Sequence, residues 1–263
     1  MDSPARRNLM LLIIGVTFAF LYIPISVLIG LSFNEGGMPT AWTGFSFKWY
    51  GELFRNADIL NAGLNTLIVA TCATALATIL GTLLAIGVEI RRRRGRALEA
   101  LIFAPMIIPD IVLAIALLSF FSLLKVPMGL HTIIVAHVVF NLAFVCAVVR
   151  ARLKSFDWSI VEASSDLGAS AFTSYRRIVI PVLAPAIIAG ALLAFTLSVD
   201  EFIIAFFTAG AGRASTTLPM QIYAMIRFGV TPEINALATL VIGVSVTALA
   251  LAQRLNKGGL PGQ

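Results

Sequence analysis

Six long apolar runs, at roughly 9–31, 61–88, 98–123, 131–149, 183–208 and 234–253, alternate with shorter polar stretches. Crossing the hydrocarbon core of a bilayer takes about 20 helical residues. The runs are continuous and lack the period-two alternation of barrel strands, so the pattern predicts helices. The expected fold class is all-α: a polytopic membrane protein with six transmembrane helices, organised as one domain over residues 1–263. One segment breaks the rhythm. Residues 161–185, VEASSDLGASAFTSYRRIVIPVLAP, place Glu162, Asp166, two adjacent arginines and several hydroxyls between two apolar runs.

That segment reads as two short helices. Ser159 and Glu162 have the spacing of a capping box, in which each side chain serves the other's backbone N–H. The first helix is expected to run to about Leu167. Gly168 then supplies a left-handed turn at no steric cost. Ser170 is placed to cap a second helix carrying Phe172, Tyr175, Ile178 and Val179. Pro181 is expected to end it, with the fifth span starting near Pro185. The stretch 150–182 is thus predicted to be a loop between spans four and five whose part 159–180 is a stiff helix–turn–helix knob, suited to docking a partner.

Composition agrees with the membrane class: 59% of residues are hydrophobic, 12% are charged, and the mean hydropathy is +0.96. A soluble domain carries about 25% charged residues. The formal charge of +6 and pI of 9.8 would fit a nucleic-acid partner in a soluble chain. Here the cations follow the topology. Fourteen of the 19 Lys and Arg fall on one side: Arg6, Arg7, the five arginines of 91–96, Arg150, Arg152, Lys154, Arg176, Arg177, Arg254 and Lys257. Lys48, Arg55, Lys125, Arg213 and Arg227 fall on the other. Short cationic loops stay in the cytoplasm, so both termini are expected there. The run RRRRGR, directly after a span, reads as a topology anchor touching anionic lipid, not as a nucleic-acid patch. The first apolar run is too long for a cleavable signal and no A-x-A follows it, so it is expected to remain as an anchor. Cys72 and Cys146 lie inside apolar runs and are expected to be small buried hydrophobes. They form no disulfide framework or metal spacing.

Three acids remain inside apolar runs: Asp110, Asp200 and Glu201. An ionised carboxylate at mid-bilayer costs about 2.5–3.5 kcal/mol even on the lenient insertion scale, so such residues face a pathway or a partner by default. Pro105 and Pro109 free backbone carbonyls next to Asp110. The predicted runs hold no Lys or Arg to neutralise these acids. A cationic substrate, or a cation from a partner subunit, could do so. A capped helix break or an inter-subunit hydrogen bond are the other readings of Asp110. Adjacent helical residues point about 100° apart, so one of Asp200 and Glu201 could meet a pathway and the other a partner. Phe195, Phe202, Phe206, Phe207 and Tyr223 flank these acids and suit either cation–π contact or packing. His137 and Asn141 lie in span four, with His137 expected as an interhelical donor. Trp42 and Trp49 fit an interfacial belt. The piece MQIYAMIRFG is expected to lie along the outer face of the membrane.

The spacing Glu162-Ala163-Ser164, three residues, Gly168, nine residues, Ile178, one residue, Ile180-Pro181 resembles the cytoplasmic loop signature of type I ABC importer permeases, E-A-A-x3-G-x9-I-x-L-P. Ser164 and Ile180 are the departures, and both keep size or apolarity. The resemblance covers nearly the whole chain, through LYIPISVLIGLSFN, FSFKWYGELFRN, PMIIPDIVLAIALL, ARLKSFDWSIVEASSDLGAS, AFTLSVDEFIIAFF and LPMQIYAMIRFGVTPEINALATL. These look like the second permease subunit of the spermidine/putrescine class. The resemblance implies the type I ABC importer permease (MetI-like) fold in a bacterial inner membrane. It also implies a second permease subunit as heterodimer partner, an ATPase dimer and a periplasmic substrate-binding protein. Glu162, Ala163, Ser164, Asp166, Gly168, Ile178 and Pro181 would then form the element that couples to the ATPase. Asp110, Asp200, Glu201 and Tyr223 would be the substrate-path candidates. Polyamines suit the acids because their ammonium groups donate to several carboxylates along an extended chain.

The chain holds no G-x-x-x-x-G-K-[ST] phosphate loop, so ATP and Mg²⁺ are expected on a separate ATPase and no cofactor on this chain. No catalytic residue and no metal site is expected. An ABC permease for an opine, an aminophosphonate or ferric iron is the nearest alternative. A stand-alone secondary transporter would favour inverted repeats, which the halves do not show convincingly. A membrane enzyme would need a convergent nucleophile, base or metal set.

Overall fold

The computed structural model describes residues 4–37, 41–90, 96–227 and 229–257. The arginine run at 91–95, read above as an anchor, lies outside the described residues. Twelve α-helices occur among them: α1 (Pro4–Leu31), α2 (Lys48–Leu53), α3 (Ala57–Ile90), α4 (Arg96–Ile107), α5 (Asp110–Leu123), α6 (Leu130–Leu153), α7 (Ser159–Asp166), α8 (Ala171–Ser174), α9 (Ile180–Asp200), α10 (Ile203–Thr208), α11 (Leu218–Ile226) and α12 (Pro232–Lys257). A wide π turn, Tyr175–Val179, joins α8 to α9.

All six expected runs are helical, and two are broken. α1, α3, α6 and the continuous stretch Ala171–Asp200 are each long and apolar enough to cross a membrane. α12, of 26 residues, covers the sixth run. The third run is two helices, α4 and α5, bent by 113°. Pro109, with ψ of 136°, holds the chain extended between them, because its ring crowds a helical predecessor and it has no N–H to give. The fifth run stops at Asp200, turns through an extended Glu201 and resumes as α10.

The chain divides into two compact units, residues 1–60 with 222–263, and residues 61–221. In the first, α12 packs on α1 and on α2. Asn56 Nδ2 donates to Glu233 Oε1 at 3.1 Å. α1 leaves its apolar side chains exposed along its length, as a helix facing lipid or another chain does. The segment after α1 is closed by Asn34. Its amide donates to Ala41 O and accepts from Thr43 N–H, and its carbonyl accepts the Trp49 indole N–H at 2.8 Å. Phe33, Phe45, Phe47 and Tyr50 stack around it. Trp49 is thus a structural tie, while Trp42 is exposed.

The second unit is built around α6, the most buried of the membrane-length helices among the described residues. Lipid tails are as apolar as Leu, so close helix approach needs small residues. Ala77, Gly81 and Ala85 recur every four residues on α3. A Cβ at Gly81 would lie 2.9 Å from Val145 of α6, so only glycine fits there. Gly190 and Ala194 of α9 are buried as well, and a Cβ at Gly190 would already stand 3.4 Å from Val145. Cys146 is buried in this core as expected. Cys72 is exposed, because it falls on the outward face of α3.

Candidate functional site

Two places in the second unit carry the residues singled out by the sequence. The first is the loop after α6. α7 begins at Ser159 itself, so the expected capping box of Ser159 and Glu162 does not form. A box requires its serine just outside the helix, and here Trp158 holds that place. Asp157 takes over: its Oδ1 accepts the Ser159 N–H at 3.0 Å. The Ser159 hydroxyl first, and then this N–H, hold the Asp157 carboxyl below its ordinary range. A depressed carboxylate stabilises its cap above the unfolded pKa and loses it as pH falls through the lowered folded value, so the cap is intact at neutral pH.

Gly168 follows with φ of +85°, and the helix end is closed by Gly168 N–H to Ser165 O at 2.9 Å and Ala169 N–H to Ser164 O at 3.1 Å. The left-handed turn at Gly168 is the one expected from the sequence, and the pair of backbone hydrogen bonds that closes it is added by the structure. Ser170 caps α8 through Thr173 N–H, also as expected. The Ser164 and Ser174 hydroxyls meet at 2.7 Å and fasten α7 to α8. Glu162, Ala163, Asp166 and Gly168 are exposed, Ser164 and Ile178 are half-buried, and Pro181 is exposed. Leu167 and Phe172, 89% and 75% exposed, flank the glycine turn as a bare apolar edge.

Pro181 does not end the second helix. Ala171–Asp200 is continuous, and Pro181 lies in the first turn of α9. The wide turn Tyr175–Val179 explains the difference: it shifts the bonding register by one residue just before the proline, so the missing N–H is absorbed without breaking the rod. The loop is therefore joined rigidly to the fifth span. Below it, Phe156, Trp158, Val161 and Tyr175 pack into the same apolar cluster as Ile86, Ile102, Val149, Leu153, Val179 and Leu183.

The second place is where the two broken runs meet. Asp110 is the first residue of α5, and Glu201 precedes α10 and caps it by accepting Ile204 N–H at 2.6 Å. α5 and α10 pack side by side through Leu113, Ala114, Leu117, Ile203, Ile204 and Phe207. Two helix starts thus lie together, and the carboxylates of Asp110 and Glu201 are within electrostatic reach of each other. Helix N-termini carry partial positive charge worth about 0.3–1 kcal/mol to a nearby carboxylate. That helps to seat acids among apolar helices. Asp200 ends α9 and is exposed. α6 steadies this region from behind: His137 Nδ1 lies 2.7 Å from Ser198 Oγ, and Thr132 Oγ1 lies 2.7 Å from Thr208 O. His137 is thus the interhelical partner expected. Phe202, Phe206 and Phe207 stack on one another as packing aromatics. Tyr223, about half exposed on α11, belongs to the first unit.

Sequence reasoning missed Arg150. Counted as a loop cation, it lies inside α6, and its guanidinium pairs with Glu99 of α4 and, at 3.6 Å, with Glu89 of α3.

Residues 77–257 match the family described as binding-protein-dependent transport system inner membrane component. The chain belongs to that family. Among its relatives, a spermidine/putrescine transport system permease protein, PotC of Haemophilus influenzae, is 39% identical over 92% of this chain and 94% of its own. A putrescine transport system permease protein, PotI of Escherichia coli K12, is 43% identical over 92% of this chain and 86% of its own. The fold is shared with a chain of a bacterial ABC transporter that imports alginate, at 16% identity with TM-score 0.72 over 99% of both chains. It is shared as well with a chain of the MetNI methionine ABC transporter, at 18% identity with TM-score 0.62 over 82% of this chain and all of that one. This binding-protein-dependent permease is accordingly a multi-pass inner-membrane transport protein with the type I ABC importer fold.

Proposed function

We propose that the chain forms half of the pathway by which an ATP-driven importer takes up a cationic amine of the putrescine/spermidine class. A second permease subunit supplies the other half, a periplasmic binding protein delivers the amine, and a separate ATPase dimer holds ATP and Mg²⁺. Residues 159–180 dock that ATPase on the cytoplasmic side, where both termini also lie. The exposed edge of Leu167 and Phe172 beside the Gly168 turn gives the docking surface an apolar anchor on a stiff base.

The observation that carries the substrate reading is that α5, which begins at Asp110, packs on α10, which Glu201 caps, so that acids stand at the breaks of two adjacent runs. Two carboxylates near each other in an apolar region repel unless a cation comes between them. A diamine or triamine offers ammonium groups that donate to both. The names of the relatives above, putrescine and spermidine/putrescine permeases, point the same way. Ion-gradient transport by the chain alone would leave the stiff loop without a use.

Asp110→Asn tests the reading. It removes one charge and keeps the shape of the helix start. The expected result in the assembled importer is a KM for amine uptake raised at least tenfold, about 1.4 kcal/mol, with unchanged protein in the membrane. An unchanged KM removes Asp110 from the pathway.

A further inference from the structure

We propose that Arg150 is a positioning residue that makes α4 travel with the loop at residues 154–170, so that loop movement is delivered to the break in front of Asp110. The proposal rests on the coupling reading above. Arg150 lies in the last turn of α6, three residues before that helix ends and the loop begins. Its side chain is 12% exposed. Nη1 donates to Glu99 in the first turn of α4, Nε faces Glu89 in the last turn of α3 at 3.6 Å, and the guanidinium stands 5.9 Å from the ring of Phe103. One cation therefore ties the ends of three helices.

The apolar packing has the same boundary. Ile102 and Phe103 of α4 belong to the cluster that holds Val149 and Leu153 of α6, then Phe156, Trp158 and Val161 of the loop, then Tyr175 and Val179. α4 is thus fixed to the base of the loop at its first turn by charge and one turn later by packing. At its far end the helix stops at Ile107 and the chain bends by 113° into α5, which packs on α10 instead. Eight residues, about 12 Å of helix, separate Glu99 from that bend. α4 is a short lever with one end on the loop's foundation and the other at the hinge that seats Asp110. A guanidinium with a planar fork, held between two carboxylates and largely out of water, is stiff where a lone apolar contact would slide.

The test uses the assembled importer in proteoliposomes, with amine uptake and ATP hydrolysis measured on the same sample. Glu99→Gln removes the charge that holds α4 and leaves the loop's docking residues unaltered. The expected result is binding-protein-stimulated hydrolysis within twofold of the unaltered complex and amine imported per ATP reduced at least fivefold. Glu99→Asp, which keeps the charge, restores that ratio to within twofold. A purely structural role predicts that uptake and hydrolysis fall together, and that result overturns the proposal, as does an unchanged ratio in Glu99→Gln. Arg150→Lys, a second probe that retains charge but not the fork, is expected to fall between the two, and a ratio equal to the unaltered complex in both Glu99→Gln and Arg150→Lys counts against the lever. Failure of the coupling reading itself is seen separately, as uptake without ATP in the unaltered complex, and removes this proposal with it.

Discussion

Ser164 stands where the family's loop pattern has a second alanine, and its hydroxyl reaches Ser174 across the turn at 2.7 Å. An alanine would leave the two short helices joined by packing and by the turn alone, so Ser164→Ala is expected to loosen the loop by about 1 kcal/mol. Gly168 is the stronger constraint. Nothing lies within 4 Å of the place its Cβ would take, so the cost of a side chain is conformational, not steric. At φ of +85° a β-branched residue is an outlier, whereas Asn tolerates the left-handed region. Gly168→Val is therefore expected to reduce ATP-driven uptake severalfold with normal membrane levels, while Gly168→Asn keeps most of it. Equal activity in the two variants, measured in vesicles, would show that the turn does not transmit work. The glycine was legible in the sequence because its role is local. The Arg150 cluster was not: Glu89, Glu99 and Arg150 each look like an ordinary charge at the end of an apolar run, and only the fold brings residues 51 positions apart into contact.

The elements of this chain were legible as lengths and illegible as breaks. Apolar run length is set by bilayer thickness, so six runs became helices with ends close to those expected. Pro109 announced one interruption. Nothing so local announces the other, at 200–203, where the sequence reads as continuous apolar helix apart from Asp200 and Glu201. The break exists because Glu201 takes the Ile204 N–H and starts a new helix in the middle of the run. Pro181 misled in the opposite sense, because a wide turn upstream absorbs it. The carboxylate that caps α10 is also the one the proposed function offers to the amine, and the two roles separate by substitution. Glu201→Gln keeps an oxygen for Ile204 N–H and loses the charge, so assembly and thermal stability are expected to hold while the KM for amine uptake rises about tenfold. Glu201→Ala loses both, and the complex is expected to be destabilised by about 1 kcal/mol as well. If Gln supports uptake as well as Glu, the residue is a cap alone.

At the scale of the whole molecule, residues 61–221 hold both features on which the proposed function rests. A stiff loop is continuous with the fifth span, and a pair of carboxylates lies where two broken runs meet. No phosphate-binding loop is present in the sequence, and the proposed function assigns nucleotide hydrolysis to a separate ATPase whose work would enter through that loop. The central claim is this division of labour. It is tested most directly by radiolabelled putrescine uptake in proteoliposomes containing either this chain alone or the chain with its ATPase, second permease and binding protein. The account predicts accumulation only in the full complex and only with ATP inside the ATPase compartment, abolished by Gly168→Val. Accumulation by the chain alone, driven by an ion gradient, would contradict it.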